Sequence, residues 1–430
     1  MHETLAPALI PLAILLALDA MTLAVLRRAL PRHGPKWARV VTQVLYFAVG
    51  PVALAAYAVI SSSPGPVPLW PTMIVFATLA VAYVPKLLLL AVAAVSTLLL
   101  TPWLVVRAVR VAATGQQPEI FAWRIRPVAV VAACCGAVAF LGMLYAATLG
   151  RSRLVVRSQV VEVPGLPAGL DGLRVVHFSD LHVAGLPRGR YAERLAAAVN
   201  GLRPDLIVYT GDFGSPSEVA TAPEIFGRMR ASLGGVAVLG NHDLIGAGTA
   251  DDDRPPSPYL KARRAQWHAE FLASRGFTLL ENQAVLLRRG GARLGVLGLA
   301  VDDAHHGFAD ADLPAALAAS DSADFRILVM HNPATWNRVL RDRLPVGAGF
   351  AGHTHAGQIA IEVGSLKWSV AGGRSRRWHG VYRVGEKVLH VSAGVGYTFL
   401  PFRLGVPPEV TLVELRRPAA TVAAGAERRS

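Results

Sequence analysis

The chain has 430 residues, a formal net charge of +14, 53% hydrophobic and only 17% charged residues. That length suggests two or three domains with a sizeable core, and the composition is far from that of a typical soluble protein. The two cysteines, Cys134 and Cys135, are neighbours in an apolar run, which excludes a disulfide framework and a thiolate zinc site. In chain order, four apolar stretches come first, at roughly 5–26, 40–60, within 71–106 and 128–149, each able to supply the ~20 residues a bilayer-spanning helix needs. No basic segment precedes the first, and "RRALPRHGPKWAR" follows it, so a cleaved leader is a poor explanation. The third stretch is too long for one upright helix and Pro85-Lys86 interrupts it, leaving one long tilted helix or two short ones. Loop charge arbitrates: Arg27, Arg28, Arg32, Lys36 and Arg39 follow the first stretch, and Arg107, Arg110, Arg124 and Arg126 precede the fourth, while "SSSPGPVPLWP" carries none. Four crossings put both basic loops in the cytoplasm and both termini outside, although Arg151, Arg153 and Arg157 would then be extracytoplasmic. Much of the basic charge flanks apolar segments, so anionic lipid is a better partner for it than nucleic acid. Asp19 and Lys86 fall within the spans; Asp19 is read near a span end and Lys86 as snorkelling or seated at a break.

After Arg157 the texture becomes α/β. "LRVVHFS", "DLIVYTG" and "GVAVLG" read as strands, separated by "RYAERLAAAVNGL" and "PEIFGRMRASL" as helices. The strands "RLGVLGLAV", "FRILVMH", "GAGFAGH", "KVLHVSAG" and "VTLVEL" then arrive with few helices between them, so the later sheet should be mixed. Residues 1–150 are thus the helical membrane region, 151–169 a linker, 170–416 the soluble domain and 417–430, Ala-rich and basic, a disordered tail.

The polar residues gather at strand ends. Asp180 and His182 follow the first strand, Asp212 the second, Asn241, His242 and Asp243 the third; His331 ends the "ILVMH" strand, and His353 and His355 follow "GAGFA". In an α/β sheet the carboxyl ends of the strands are where ligands bind. Gly211, Gly240 and Gly352 precede these groups and permit sharp turns. Two Asp, one Asn and four His are too many donors for one tetrahedral ion. They suit two five- or six-coordinate ions sharing a carboxylate, an arrangement used for phosphoester hydrolysis because it binds phosphate oxygens and acidifies a bridging water. Without a thiolate, the donor set favours Mn, Fe, Zn or Mg.

The series "DLH", "GD", "GNHD", "MHNP" and "GHTH", in that order, resembles the calcineurin-like metallophosphoesterase superfamily. The resemblance implies a four-layer α/β sandwich of two mixed sheets flanked by helices, here preceded by an all-α bundle of about four transmembrane helices. It implies one metal on Asp180, His182, Asp212 and His355, and a second on Asp212, Asn241, His331 and His353, with Asp212 bridging. It also implies that His242 faces the leaving group and that Asp243 orients His242. The "GDFGSP" segment departs from the common G-D-x-x-D/N pattern. "GHTHAGQ" and "HVSAGVGYTFLPFRLGVPPEVTLVEL" are similar to the bacterial membrane-attached branch, which includes UDP-diacylglucosamine hydrolases. That implies a membrane-anchored phosphoesterase of the cell membrane, its catalytic domain extracytoplasmic, with two divalent ions and a phosphorylated, lipid-linked or nucleotide-sugar substrate. The competing expectations are a non-catalytic metal or ligand sensor, and a transporter with a regulatory domain.

Four further histidines, His177, His268, His379 and His390, lie outside the pattern and read as structural. His305 and His306 in "VDDAHHG" are candidates to line the substrate mouth, and the insertion "DDDRPPSPYLKARR" is a candidate lid.

Overall fold

A computed structural model of the chain describes residues 6–29, 36–62, 69–114, 121–187, 190–220, 222, 224–245, 256–364, 366–373, 375–398 and 400–419. The chain divides into two compact units, residues 1–150 with 399–404, and residues 151–398 with 405–430.

In the first unit the apolar stretches form α1 (Ala6–Ala29), α2 (Lys36–Ser61), α3 (Leu69–Thr114) and α4 (Phe121–Ala147). These helices are apolar around most of their circumference, with Ile10, Leu98, Leu99 and Val138 facing outward, as a hydrocarbon solvent requires. Among the described residues, three segments are long and apolar enough to cross a bilayer: Ile10–Arg28, Pro71–Trp103 and Pro127–Ser152; the apolar part of α2, Tyr46–Ser61, is shorter. The ambiguity of the third stretch resolves as one helix, since α3 runs through both Pro85 and Pro102. Asp19 and Lys86 depart from the sequence reading: neither sits at an end or snorkels. Both are buried, and Lys86 Nζ lies 2.5 Å from Asp19 Oδ1. The Tyr83 hydroxyl donates to the other carboxylate oxygen at 3.0 Å, and the ammonium sits 3.9 Å from the Tyr46 ring centre. The late "PFR" stretch belongs to this unit as well, with Phe402 buried against Ala77, Met143 and Ala146.

The second unit is a sandwich of two six-stranded sheets. The first runs Val155–Glu162, Glu409–Arg416, Leu173–Phe178, Leu206–Tyr209, Gly235–Ala237, Phe277–Leu279, parallel throughout except where Glu409–Arg416 meets Leu173–Phe178. The second runs Gly380–Val384, Lys387–Val391, Ala348–Ala351, Phe325–Val329, Ala292–Gly298, Gln283–Arg289, with an antiparallel hairpin at each edge of a parallel centre. Alternation places Val175, Leu206 and Val208 of the first sheet against Val296, Ile327 and Phe350 of the second. The opposite faces are covered by Tyr191–Gly201 on the first sheet, and by Leu313–Ala318 and Trp336–Arg341 on the second. The result is four layers, as the resemblance implies.

Two sequence expectations change here. Residues 151–169 are not a plain linker, because Val155–Glu162 is the edge strand of the first sheet; its polar R-S-Q run suits a half-exposed edge rather than a buried strand. "PEIFGRMRASL" is not a helix but holds only a short 3-10 turn at Phe226–Arg228. There the Glu224 carboxylate accepts from the Gly227 amide at 2.9 Å, and Phe226 is sunk among Tyr209, Phe213 and Phe277. Packing of that ring outweighs a helical propensity already weakened by Gly227. The tail beyond 419 and insertion residues 246–255 lie outside the described residues; from Pro258 the insertion is the start of helix Pro258–Ala273.

Candidate metal centre

The rim of the sandwich is built by sharp turns after the parallel strands. Five of the seven expected ligands have left-handed backbone: Asp180 (φ 54°), His182 (φ 41°), Asp212 (φ 60°), His353 (φ 69°) and His355 (φ 50°). Each such residue costs about 1 kcal/mol or more relative to a relaxed conformation, and such strain concentrates at functional sites. The turns are fastened to one another. The Asp180 carboxylate accepts from the His353 amide at 3.1 Å, and the Asp180 and His182 amides donate to the carbonyls of Gly211 and Asp212. Of the three glycines expected to give sharp turns, only Gly211 has positive φ, at 89°. Gly240 serves close approach instead: a Cβ there would lie 2.2 Å from Asp212 Oδ1.

The side chains converge as two groups that share one residue. Asp180, His182, Asp212 and His355 each place a ligand atom within 4.8 Å of the others, and Asp212, His331 and His353 do the same. Asp212 Oδ2 lies 3.4 Å from His182 Nε2 and 3.3 Å from His331 Nε2. His355 Nε2 is 3.3 Å from Asp180 Oδ1 and 3.0 Å from His182 Nε2. On the other side, His331 Nε2 is 3.1 Å from His353 Nδ1 and 3.2 Å from Asn241 Oδ1. His331 Nδ1 sits 2.6 Å from the Thr210 carbonyl, which can only accept. Nδ1 therefore carries the hydrogen, and when the ring is neutral Nε2 turns a lone pair into the cluster.

The electrostatics describe a hole for positive charge. Burial raises the Asp180 carboxyl, and neighbouring Asp212 adds to this, to about 6 against opposition from His331. Burial opposes charge on His331 too, but Asp212 and Asp180 overcome it and hold its proton to about 10. Burial and the charge of His331 push His353 down to about 4. Asp212 stays anionic despite burial because His331 and His242 face it. A largely buried cage with two carboxylates, imidazole nitrogens and no thiolate fits hard or borderline divalent cations.

His242 and Asp243 take different places. The His242 ring is exposed in the cleft, edge-on to His182 with ring centres 4.9 Å apart. The Asp243 carboxylate is fully buried and accepts four backbone amides: Asp212 at 2.9 Å, Gly240 at 2.8 Å, Phe213 at 2.7 Å and Gly214 at 2.9 Å. These bonds tie Asp243 to the loop that carries Asp212.

The cleft over the centre encloses about 1010 Å³. His305 lines it as expected; the His306 side chain and residues 251–255 of the candidate lid lie outside the described residues, and the described part of that segment, 256–264, is not in the cleft lining. The sequence reading missed Asn332, Asn337, Gln358, Arg376 and Arg377 in its wall. The pair "RR" in "GGRSRRWH" was the available signal, obscured by the many arginines elsewhere. The four histidines read as structural fall outside both ligand groups; His177 lies 2.7 Å from His390, and His379 bridges Glu362 and Glu409 at 2.9 and 3.0 Å.

Comparison with known proteins agrees with this geometry. Residues 173–357 match the calcineurin-like phosphoesterase family model. A zebrafish transmembrane protein with a metallophosphoesterase domain is 30% identical over 60% of this chain and 56% of its own length. The chain thus spans little more than half of that relative. The Bacillus subtilis metallophosphoesterase YkuE is 27% identical over 64% of this chain and 90% of its own. The Chlamydia trachomatis UDP-2,3-diacylglucosamine pyrophosphatase LpxG is 26% identical over 57% and 84%, respectively. The strand-end cluster, the sandwich and the matched span agree: the soluble unit is a calcineurin-like phosphoesterase domain, the fold of metal-dependent phosphoric ester hydrolases.

Proposed function

We propose that the chain is a membrane-anchored phosphoesterase with a two-metal centre, hydrolysing a phosphoester or pyrophosphate bond in a lipid-linked or nucleotide-sugar substrate. The observation that carries this is Asp212, whose carboxylate is common to both ligand groups. Asp180, His182, Asp212 and His355 would hold one ion, and Asp212, Asn241, His331 and His353 the other. Bound Mn, Fe, Zn or Mg would supply Lewis acidity toward phosphoryl oxygens and make a water acidic near neutral pH.

The rest is done by the chain. Water oxygen bonds to phosphorus while the bond to the leaving oxygen breaks. Protonated His242, exposed in the cleft, gives its proton to that leaving oxygen, and the water proton departs to solvent through the open mouth. Arg376 and Arg377 at the cleft wall provide positive charge for a second phosphate or headgroup anion. Asp243 keeps the Asp212 loop in place through its four amide bonds. The relative named a UDP-2,3-diacylglucosamine pyrophosphatase supports a phosphate close to lipid as the substrate class. The basic loops favour four crossings of the cell membrane with the soluble unit outside the cytoplasm. Protease protection in intact cells tests that side: digestion of the soluble unit from outside is expected, and full protection would reverse it.

The activity is tested by loading purified full-length protein with each metal and assaying aryl phosphate mono- and diesters. Turnover that requires metal is expected. No turnover with any of the four metals would refute the reading.

A further inference from the structure

One hairpin beside the cleft has its polarity reversed. Ala360–Val363 pairs antiparallel with Leu366–Ser369, separately from both large sheets. Ile361 lies opposite Trp368, and Val363 opposite Leu366, so these four side chains share one face. The other face carries Ala360, Glu362, Lys367 and Ser369. A hairpin on a soluble domain ordinarily turns its apolar face inward. Here Ala360 and Ser369 are buried, Ser369 donates to the Ala356 carbonyl at 2.6 Å, and Glu362 meets His379 at 2.9 Å. The apolar face points outward instead, with Ile361, Val363, Leu366 and Trp368 between 48 and 69% exposed. Val370, next along the chain, is also exposed and lines the metal cleft. A continuous apolar face of this kind marks a binding surface, because isolated exposed side chains would not share one register-matched side.

We infer that this face seats the soluble unit in the acyl region of a lipid surface, so that a lipid-borne phosphate reaches the metal cleft beside it. The occupant is identified by three features. Trp368 is the side chain best suited to the boundary of water and hydrocarbon. Lys367 on the hairpin and Arg376 and Arg377 at the cleft match the anionic headgroup plane above such a boundary. The domain is also covalently joined to helices apolar enough to cross a bilayer, which keeps lipid at high effective concentration. The purpose assigned to the seat rests on the phosphoesterase reading above; the seat itself does not.

Two measurements separate them. Full-length protein carrying Leu366→Cys, in a Cys134→Ser/Cys135→Ser background, is labelled with an environment-sensitive dye and placed in nanodiscs with brominated acyl chains. Quenching at position 366 of about twofold or more is expected, with a Glu386→Cys reporter on another exposed turn unquenched. No quenching overturns the inference, as does a disulfide crosslink between two Leu366→Cys chains without quenching, which would assign the face to a second copy. In the second measurement, Val363→Ser/Leu366→Ser/Trp368→Ser is expected to lower turnover of a long-chain lipid phosphate about tenfold or more relative to a soluble aryl phosphate. An unchanged ratio would overturn the delivery role. If the parent protein hydrolyses neither substrate, the phosphoesterase reading fails, while the quenching result still decides the seat.

Discussion

The chain buries carboxylates in both of its units, and it treats them in opposite ways. In the helical unit Asp19 has the Lys86 side-chain nitrogen at 2.5 Å and the Tyr83 hydroxyl at 3.0 Å. Its charge is answered from within the protein. At the rim of the sandwich Asp180 and Asp212 face histidines, which can be neutral, and a cleft. No lysine or arginine closes that cluster among its described ion pairs. A buried acid matched by a lysine is complete; a pair of buried acids matched by histidines, whose protons a cation can displace, leaves room for divalent charge.

The sharpest way to break this contrast is to remove the shared acid. Asp212→Asn should lower metal-dependent turnover on the order of 10³-fold and reduce bound metal, read by steady-state kinetics and elemental analysis. In the helical unit the equivalent damage is to stability. Lys86→Met leaves Asp19 buried without a partner and should cost about 3–5 kcal/mol, seen as a lower unfolding temperature in detergent; Lys86→Met/Asp19→Asn should recover much of it. Asp180→Asn should behave in the other direction in metal-free protein. Its carboxyl is raised to about 6, so ionisation opposes folding, and the penalty grows as pH rises from the ordinary carboxylate range through about 6. The variant should therefore equal or exceed the parent in metal-free stability above pH 6 while losing metal. His242→Ala should slow turnover about 10²-fold for poor leaving groups and much less for activated aryl phosphates. The smallest effect is in protons: His331 holds its proton to about 10, so metal binding at neutral pH must displace it, and affinity should rise with pH. Calorimetry in buffers of different ionisation enthalpy measures that release.

Much of the rim cluster was legible because each of its residues sits in a short motif at the end of an apolar strand, and strand ends are fixed by local pattern. Asp243 was legible as a member of "GNHD" but its grip on the Asp212 loop was not, since its four partners are the backbone amides of residues 212–214 and 240, which no side-chain pattern announces. The edge strand Val155–Glu162 was missed because its partner, Glu409–Arg416, lies about 250 residues away and its pattern is broken, with Val156 and Val160 on the exposed face and Arg157 and Gln159 on the other. The Asp19–Lys86 pair was missed for the same kind of reason: 67 residues separate two charges that read singly as tolerated oddities. The reversed hairpin was visible as apolar alternation, but alternation fixes that one face differs from the other and not which face is buried.

The central claim is that two groups of donors sharing Asp212 bind two cations. Elemental analysis of metal-loaded protein, with anomalous scattering at the absorption edge of the bound metal, tests it directly. The account predicts two ions per chain flanking Asp212, with loss of occupancy in Asp212→Asn. A rim that takes up no metal, or a single ion remote from Asp212, would contradict it.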